Sequence, residues 1–302
     1  MDDRILTKND IKITKGKKYL PCEWFAEKSS ISYVKGQKVV VFDLDETLGS
    51  FADLYILWRG VKKVWNQFDN FTNLLDLFPE FLRYGILTIL EYLYYCKTKG
   101  ICDKIFLYTN NQCSVTWVKL ICSYIETKIR DKFPNSDHIL FDQFICAFKI
   151  NNRIVEPLRT SHKKSLNDFF QCTRLSTNAN ICYIDDVDYP SMKGSTVYYI
   201  CPRIYIHTLN TKTIIQRIVK TDWQQYNTLL QSKEFWNSWF LINKRKMVRR
   251  GNPDITIDLQ ISRKMIHHLS EFLNFEQKKH VLHVKTKKNR KLTTRRTRKI
   301  IC

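Results

Sequence analysis

Four apolar residues, Val39-Val40-Val41-Phe42, run without a break into Asp43-Leu44-Asp45-Glu46-Thr47-Leu48. A short continuous apolar run reads as a strand buried on both faces, and such strands belong at the centre of an α/β sheet. Ligands of those sheets bind just beyond the carboxyl ends of the strands. The run therefore delivers two carboxylates, two residues apart, to a place suited to a phosphate or a metal ion. In an extended chain Asp43 and Asp45 start on one side. Like charges held that close call for a cation or a proton between them. An acidic turn capping a helix has the same spelling, so other segments must decide.

Two more apolar runs end in the same way. Ile105-Phe106-Leu107-Tyr108 leads into Thr109-Asn110-Asn111, and Ile181-Cys182-Tyr183-Ile184 leads into Asp185-Asp186. Between them Ser161-His162-Lys163-Lys164-Ser165-Leu166 opens a helical pattern carried by Leu166, Phe169 and Phe170. Each segment alone has a plain reading. Asn and Thr cap helices, lysines are ordinarily solvated, and Asp185-Asp186-Val187-Asp188 would pass for an exposed acidic loop. Their conjunction in one order, Asp-x-Asp-x-Thr, then Thr, then Lys, then Asp-Asp, argues for a single site.

In that order the segments resemble the haloacid-dehalogenase superfamily of phosphotransferases. Asp-Leu-Asp-Glu-Thr-Leu is most similar to the branch that dephosphorylates the carboxy-terminal repeat domain of RNA polymerase II, also called the NLI-interacting-factor-like phosphatases. The resemblance covers residues 37–205, with Arg83-Tyr84-Gly85 standing where Arg-Pro-Gly is common. The lysine-rich style and basic tail also resemble versions carried by large DNA viruses such as iridoviruses.

The resemblance implies an α/β, Rossmann-like haloacid-dehalogenase core: a central parallel sheet with helices on both faces, and a helical insertion after the first strand. It implies a magnesium-dependent phosphatase of phosphoserine or phosphothreonine, with the RNA polymerase II tail as a candidate substrate. Asp43 would be the nucleophile, giving an aspartyl-phosphate. Asp45 would serve as general acid and then general base. Asp43 and Asp185, with the Asp45 backbone carbonyl, would supply oxygens to Mg2+, and Asp186 would hold a metal water or orient the site. Thr109 would donate its hydroxyl to the phosphoryl group. Lys164, or its neighbour Lys163, would neutralise phosphate charge.

Strands alternating with helical segments lead to the same α/β class independently. Residues 1–36 read as a loose lead-in with at most one edge strand, and residues 37–205 as the phosphatase-like domain. Within 51–80, Leu54, Leu57, Trp58, Val61, Val64, Trp65 and Phe68 recur at helical spacing. That insertion either caps the site or packs on the core. Helices are expected over 81–99 and 112–132, and strands over Phe144–Phe148 and Thr196–Ile200. Residues 206–276 read as a helical extension that includes an amphipathic stretch from 258 to 276, and 277–302 as a basic tail. His267-His268 read as surface residues of that stretch.

The net charge of +21 is uneven: residues 241–302 hold 18 Lys/Arg against 4 Asp/Glu, or +14, which leaves +7 for the rest. Nine Lys/Arg and no acid lie between Lys285 and Lys299, a run that suits nucleic acid or another polyanion. The ten cysteines include no Cys-x-x-Cys pair, and several sit in apolar runs, so free thiols in a reducing compartment are expected. The start of the chain lacks the order of a signal peptide. The longest apolar stretch, Tyr84–Cys96, contains Glu91 and is too short to span a bilayer. An intracellular protein, cytoplasmic or nuclear, with no membrane partner is expected.

No Cys-x5-Arg, P-loop or His-Glu-x-x-His signature occurs. Two other readings remain open: a phosphatase of nucleic-acid ends, and a non-enzymatic scaffold docking on transcription machinery through the tail.

Overall fold

The computed structural model describes residues 6–20, 36–65, 70–221, 226–248 and 253–274. The basic run Lys285–Lys299 therefore lies outside the described residues, as do parts of the lead-in and of the 51–80 insertion. Strand β1 (Ile11–Lys15) is followed by β2 (Lys38–Phe42) and helices α1 (Phe51–Val64), α2 (Phe71–Leu77) and α3 (Ile86–Thr98). Next come β3 (Lys104–Tyr108), α4 (Val115–Arg130), β4 (Gln143–Ile145), the small hairpin β5 (Lys149–Ile150) and β6 (Arg153–Ile154), and α5 (Leu166–Thr173). The chain continues through β7 (Asn180–Ile184), β8 (Val197–Pro202), α6 (Thr211–Val219), α7 (Tyr226–Gln231) and α8 (Lys233–Val248), then α9 over 255–274.

Six strands form one sheet in the order β1-β8-β7-β2-β3-β4, parallel except for β1, which pairs antiparallel with β8 at the edge. The fold is α/β with a mostly parallel central sheet, compatible with a Rossmann-like arrangement. From β2 the chain moves outward to β3 and β4, then returns to the other side of β2 to lay down β7 and β8. Order therefore reverses beside β2, and a crevice opens there at the carboxyl ends.

The apolar runs occupy the sheet because strand alternation gives each of them two faces to bury. Val40, Phe42, Leu107 and Ile184 join one large cluster with α1–α4 and α6–α9. Val39, Val41, Tyr108, Ile181 and Tyr183 face a smaller cluster closed mainly by Phe169 and Cys172 of α5. Burying each such side chain contributes roughly 1.5–3 kcal/mol. Both faces are covered, but unequally: one short helix guards the side on which the chemistry-bearing residues emerge.

Among its described residues, the insertion packs on the core with one face of α1 and turns another toward the crevice. Leu54, Leu57 and Val61 of α1 are buried in the core, while Ala52, Tyr55 and Ile56 line the crevice. Ser114 caps α4 by accepting the Trp117 N–H at 3.0 Å. The strand expected over Phe144–Phe148 ends its pairing with β3 at Ile145, because the Thr109 carbonyl, the next acceptor of the ladder, is taken by Arg159 at 3.0 Å. His268 is 7% exposed, with Nδ1 2.6 Å from the Tyr198 hydroxyl, so the surface reading fails for it. The amphipathic face of α9 buries it against β8.

The turn carrying the acids is braced from below by Arg83, which is 1% exposed. Its Nε donates to the Thr47 carbonyl at 2.6 Å, and Nη2 donates to the Glu46 and Arg203 carbonyls at 2.6 and 2.8 Å. Nη1 lies 3.7 Å from Asp258 of α9. Gly85, at φ +80, lets the chain turn from Arg83 into α3, and a Cβ there would sit 2.9 Å from Ser262 of α9. Helix α9 is thereby tied to the turn. Arg83→Met should destabilise the protein by about 3 kcal/mol, since buried acceptors and Asp258 lose a charged donor. Urea unfolding measures this; a change under 1 kcal/mol would contradict the brace.

No helix among the described residues is long and apolar enough to cross a membrane. All eight described cysteines are free thiols.

Candidate active site

Strand register brings the key carboxylates together. Phe42 pairs with Ile184 in the β2–β7 ladder, so the next residues, Asp43 and Asp185, emerge side by side. The Asp43 N–H donates to the Ile184 carbonyl at 2.8 Å and extends the ladder by one step. By alternation both side chains point to the face of Val41 and Tyr183, the face covered by α5.

Lys164 arrives from that face. Ser165 caps α5 by accepting the Asp168 N–H at 3.1 Å, which fixes the helix start and turns the preceding residue inward. The Lys164 ammonium, 1% exposed, donates to Asp43 Oδ1 and, at 2.7 Å, to Asp185 Oδ2. Burial works against its charge, but Asp185 and Asp43 outweigh burial and raise its pKa. Lys163 is solvent-exposed and takes no part in the acid cluster. Between the two lysines that the sequence could not separate, the geometry selects Lys164.

The remaining acids are held by specific donors. Asp186 accepts the Thr47 hydroxyl at 2.9 Å, and the Asp186 N–H returns a bond to Thr47 Oγ1 at 3.0 Å. Burial and the adjacent Asp185 push the Asp186 carboxyl up to about 6, against the Thr47 bond, Arg83 and Lys164. Burial also holds Asp43 well above the usual carboxylate range, with Lys164 opposing and Asp185, Asp186 and Asp45 adding to the rise. Asp185 accepts the Tyr183 hydroxyl on Oδ2 and the Val187 N–H on Oδ1 at 2.8 Å.

Asp45 stands apart. The chain leaves the extended form at Leu44, and the Leu48 N–H closes a turn on the Leu44 carbonyl at 3.0 Å. Asp45 Oδ2 instead accepts from Asn111 Nδ2 at 2.7 Å. Thr109 is fully buried behind Asn111, its Oγ1 accepting the Asn111 N–H at 3.0 Å.

Asp43, Asp185 and Asp186 each offer a carboxylate oxygen, and these atoms all lie within 4.8 Å of one another. Three hard oxygen donors around one point fit a magnesium-class cation. The Asp45 carboxylate is not among them. His267, His268 and Glu271 satisfy the same distance. There, however, Glu271 is already engaged by Lys15 at 2.5 Å and by the Tyr198 hydroxyl at 2.7 Å.

The acids and Lys164 line a cleft of about 490 Å³ whose walls also carry Asn110, Asn111, Tyr55, Tyr189 and Arg245. Nothing in the sequence around Arg159 marks it as part of a site. It is 2% exposed, and it donates to the carbonyls of Thr109 and Cys146 at 3.0 and 2.7 Å, to Asn110 Oδ1 at 2.7 Å and to the His162 carbonyl at 3.1 Å. It therefore ties the ends of β3 and β4 to the segment carrying Lys164. In sequence Asn111 reads as a capping residue, and its spacing of two from Thr109 is the signal that places it in the cleft.

Comparison of the chain with protein-family models, with curated proteins and with solved structures found no match in any of the three.

Proposed function

We propose that the protein is a magnesium-dependent phosphatase with a haloacid-dehalogenase-type core that hydrolyses phosphoserine or phosphothreonine through an aspartyl-phosphate on Asp43. The observation carrying this reading is the register of β2 and β7, which sets Asp43 beside Asp185 with the buried Lys164 ammonium bonded to both. A phosphate monoester resists attack because its oxygens are anionic, so a site for it needs fixed positive charge and an aligned nucleophile. Asp43, Asp185 and Asp186 would hold Mg2+, which when bound would neutralise and orient the phosphoryl oxygens.

The chain's own residues supply the rest. Asp43 attacks phosphorus, forming the acyl-phosphate bond as the bond to the leaving oxygen breaks. Asp45, held by Asn111, protonates that oxygen and later takes a proton from the water that cleaves the acyl-phosphate. Lys164 restrains Asp43 and balances charge. The RNA polymerase II tail is a candidate substrate on resemblance alone. Among the described residues nothing favours a nucleic-acid-end substrate; that reading rests on the tail.

Asp45→Asn should cost roughly 10²–10⁴-fold on a phosphoserine peptide. The loss should be smaller on p-nitrophenyl phosphate, whose leaving group needs little protonation. Equal losses on both would remove Asp45 as general acid. The reading as a whole is tested with a phosphoserine peptide in magnesium and in EDTA: phosphate release only in magnesium supports it. Release confined to a 5′-phosphorylated oligonucleotide would replace it with the nucleic-acid-end reading.

A further inference from the structure

Beyond the acid cluster the cleft holds a second cation with a different origin. Arg245 comes from α8, outside the region that resembles the phosphatase core. It lines the same cleft as Asp43, Asp185 and Lys164. Its Nε donates at 2.8 Å to Asp53, a fully buried residue of α1. The side chain remains 41% exposed. The Nη groups have no hydrogen-bond partner among the described residues.

A plain alternative is that Arg245 is only the countercharge of Asp53. A countercharge alone does not require a guanidinium standing in the cleft. Anchoring at Nε also has a specific consequence. It fixes the plane of the group and leaves the Nη pair as a pre-oriented fork, the geometry that meets phosphate or carboxylate bidentately. Arg245 also acts on the cleft wall: with Arg59 it opposes the rise that burial and Asp45 impose on the Cys113 thiol.

Resting on the phosphatase reading, we infer that Arg245 forms a second anion subsite, which selects phosphopeptides carrying another phosphate or carboxylate close to the scissile phosphoserine. The other cation in the cleft, Lys164, is already committed to Asp43 and Asp185. An anion flanking the reacting phosphate would therefore find its partner in Arg245. A peptide fits better than a nucleotide. The Tyr55 ring packs edge-on to Trp117 at 5.1 Å and carries Arg59 at 5.8 Å, and Tyr189 carries the Lys164 ammonium at 5.6 Å. Each ring thus already carries a cation, which competes with a base for its face.

The test compares three peptides of one sequence: phosphoserine alone, phosphoserine with a neighbouring phosphoserine, and phosphoserine with a neighbouring glutamate. For the wild type, kcat/KM should favour both doubly anionic peptides over the single one. In Arg245→Gln that preference should fall about tenfold or more, mainly through KM, as expected for loss of a charge-assisted bidentate contact. Arg245→Lys should restore part of it. A preference unchanged in Arg245→Gln, or equal losses on all three peptides, would overturn the subsite. Preference for the phosphate neighbour alone or for both anions identifies the anion taken.

Binding to the Asp43→Asn protein, read by fluorescence anisotropy, separates the subsite from catalysis. If the wild type hydrolyses none of the peptides, the phosphatase reading fails. Tighter binding of the doubly anionic peptides, lost in Asp43→Asn/Arg245→Gln, would still uphold the subsite. Equal binding of all three would end it. A 5′-phosphorylated oligonucleotide binding more tightly than any peptide, in an Arg245-dependent way, would overturn the peptide assignment.

Discussion

Asp43→Asn is expected to lose turnover by several orders of magnitude while melting no lower than the wild type in metal-free buffer. The loss follows from removing the only proposed atom that bonds to phosphorus; deleting a nucleophile leaves just the binding and electrostatic parts of catalysis. The thermal behaviour follows from charge. Asp43, Asp185 and Asp186 crowd within 4.8 Å, and Lys164 is the ammonium bonded to two of them. Burial already holds Asp43 above the usual carboxylate range, so its charge is uncomfortable in the fold. An amide of the same shape removes one like charge and retains an oxygen acceptor for Lys164. Retained activity would remove Asp43 as nucleophile; a melting temperature many degrees lower would instead mark it as a structural acid.

Lys164→Met should do the opposite in metal-free buffer, lowering stability by about 3–5 kcal/mol, the usual result of stripping one partner from a buried ion pair. Lys164 bonds both Asp43 and Asp185, and both side chains remain buried without it. Magnesium should raise the melting temperature of this variant more than that of the wild type, because the cation then supplies charge that the ammonium no longer does. Differential scanning fluorimetry with and without Mg2+ reads both effects. A variant as stable as the wild type, with no added response to Mg2+, would contradict the described charge balance.

Much of this site was legible because its parts are local. Val39–Phe42, Ile105–Tyr108 and Ile181–Ile184 are short continuous apolar runs bounded by polar residues, the pattern of central strands. Their polar termini then share one end of the sheet. The choice between Lys163 and Lys164 was not legible: both precede the helix, and only the Ser165 cap, seen in three dimensions, decides which turns inward.

Arg83 and Arg159 were opaque for another reason. Their acceptors are mostly backbone carbonyls, up to 120 residues away for Arg83 and 50 for Arg159. A carbonyl leaves no mark on the sequence. In sequence the Asp43-x-Asp45 spacing reads as an extended pair. The turn at Leu44 separates the two, sending one to Lys164 and the other to Asn111. His268 reads as a surface residue in sequence, yet the apolar stripe of α9 is wide enough to bury a histidine that finds Tyr198.

The most direct measurement is phosphate release from p-nitrophenyl phosphate by the purified protein, with magnesium and with EDTA, beside Asp43→Asn. Release that requires magnesium and vanishes in the variant is the predicted result. Release that persists in EDTA, or survives in Asp43→Asn, would contradict a magnesium-dependent phosphatase built on Asp43.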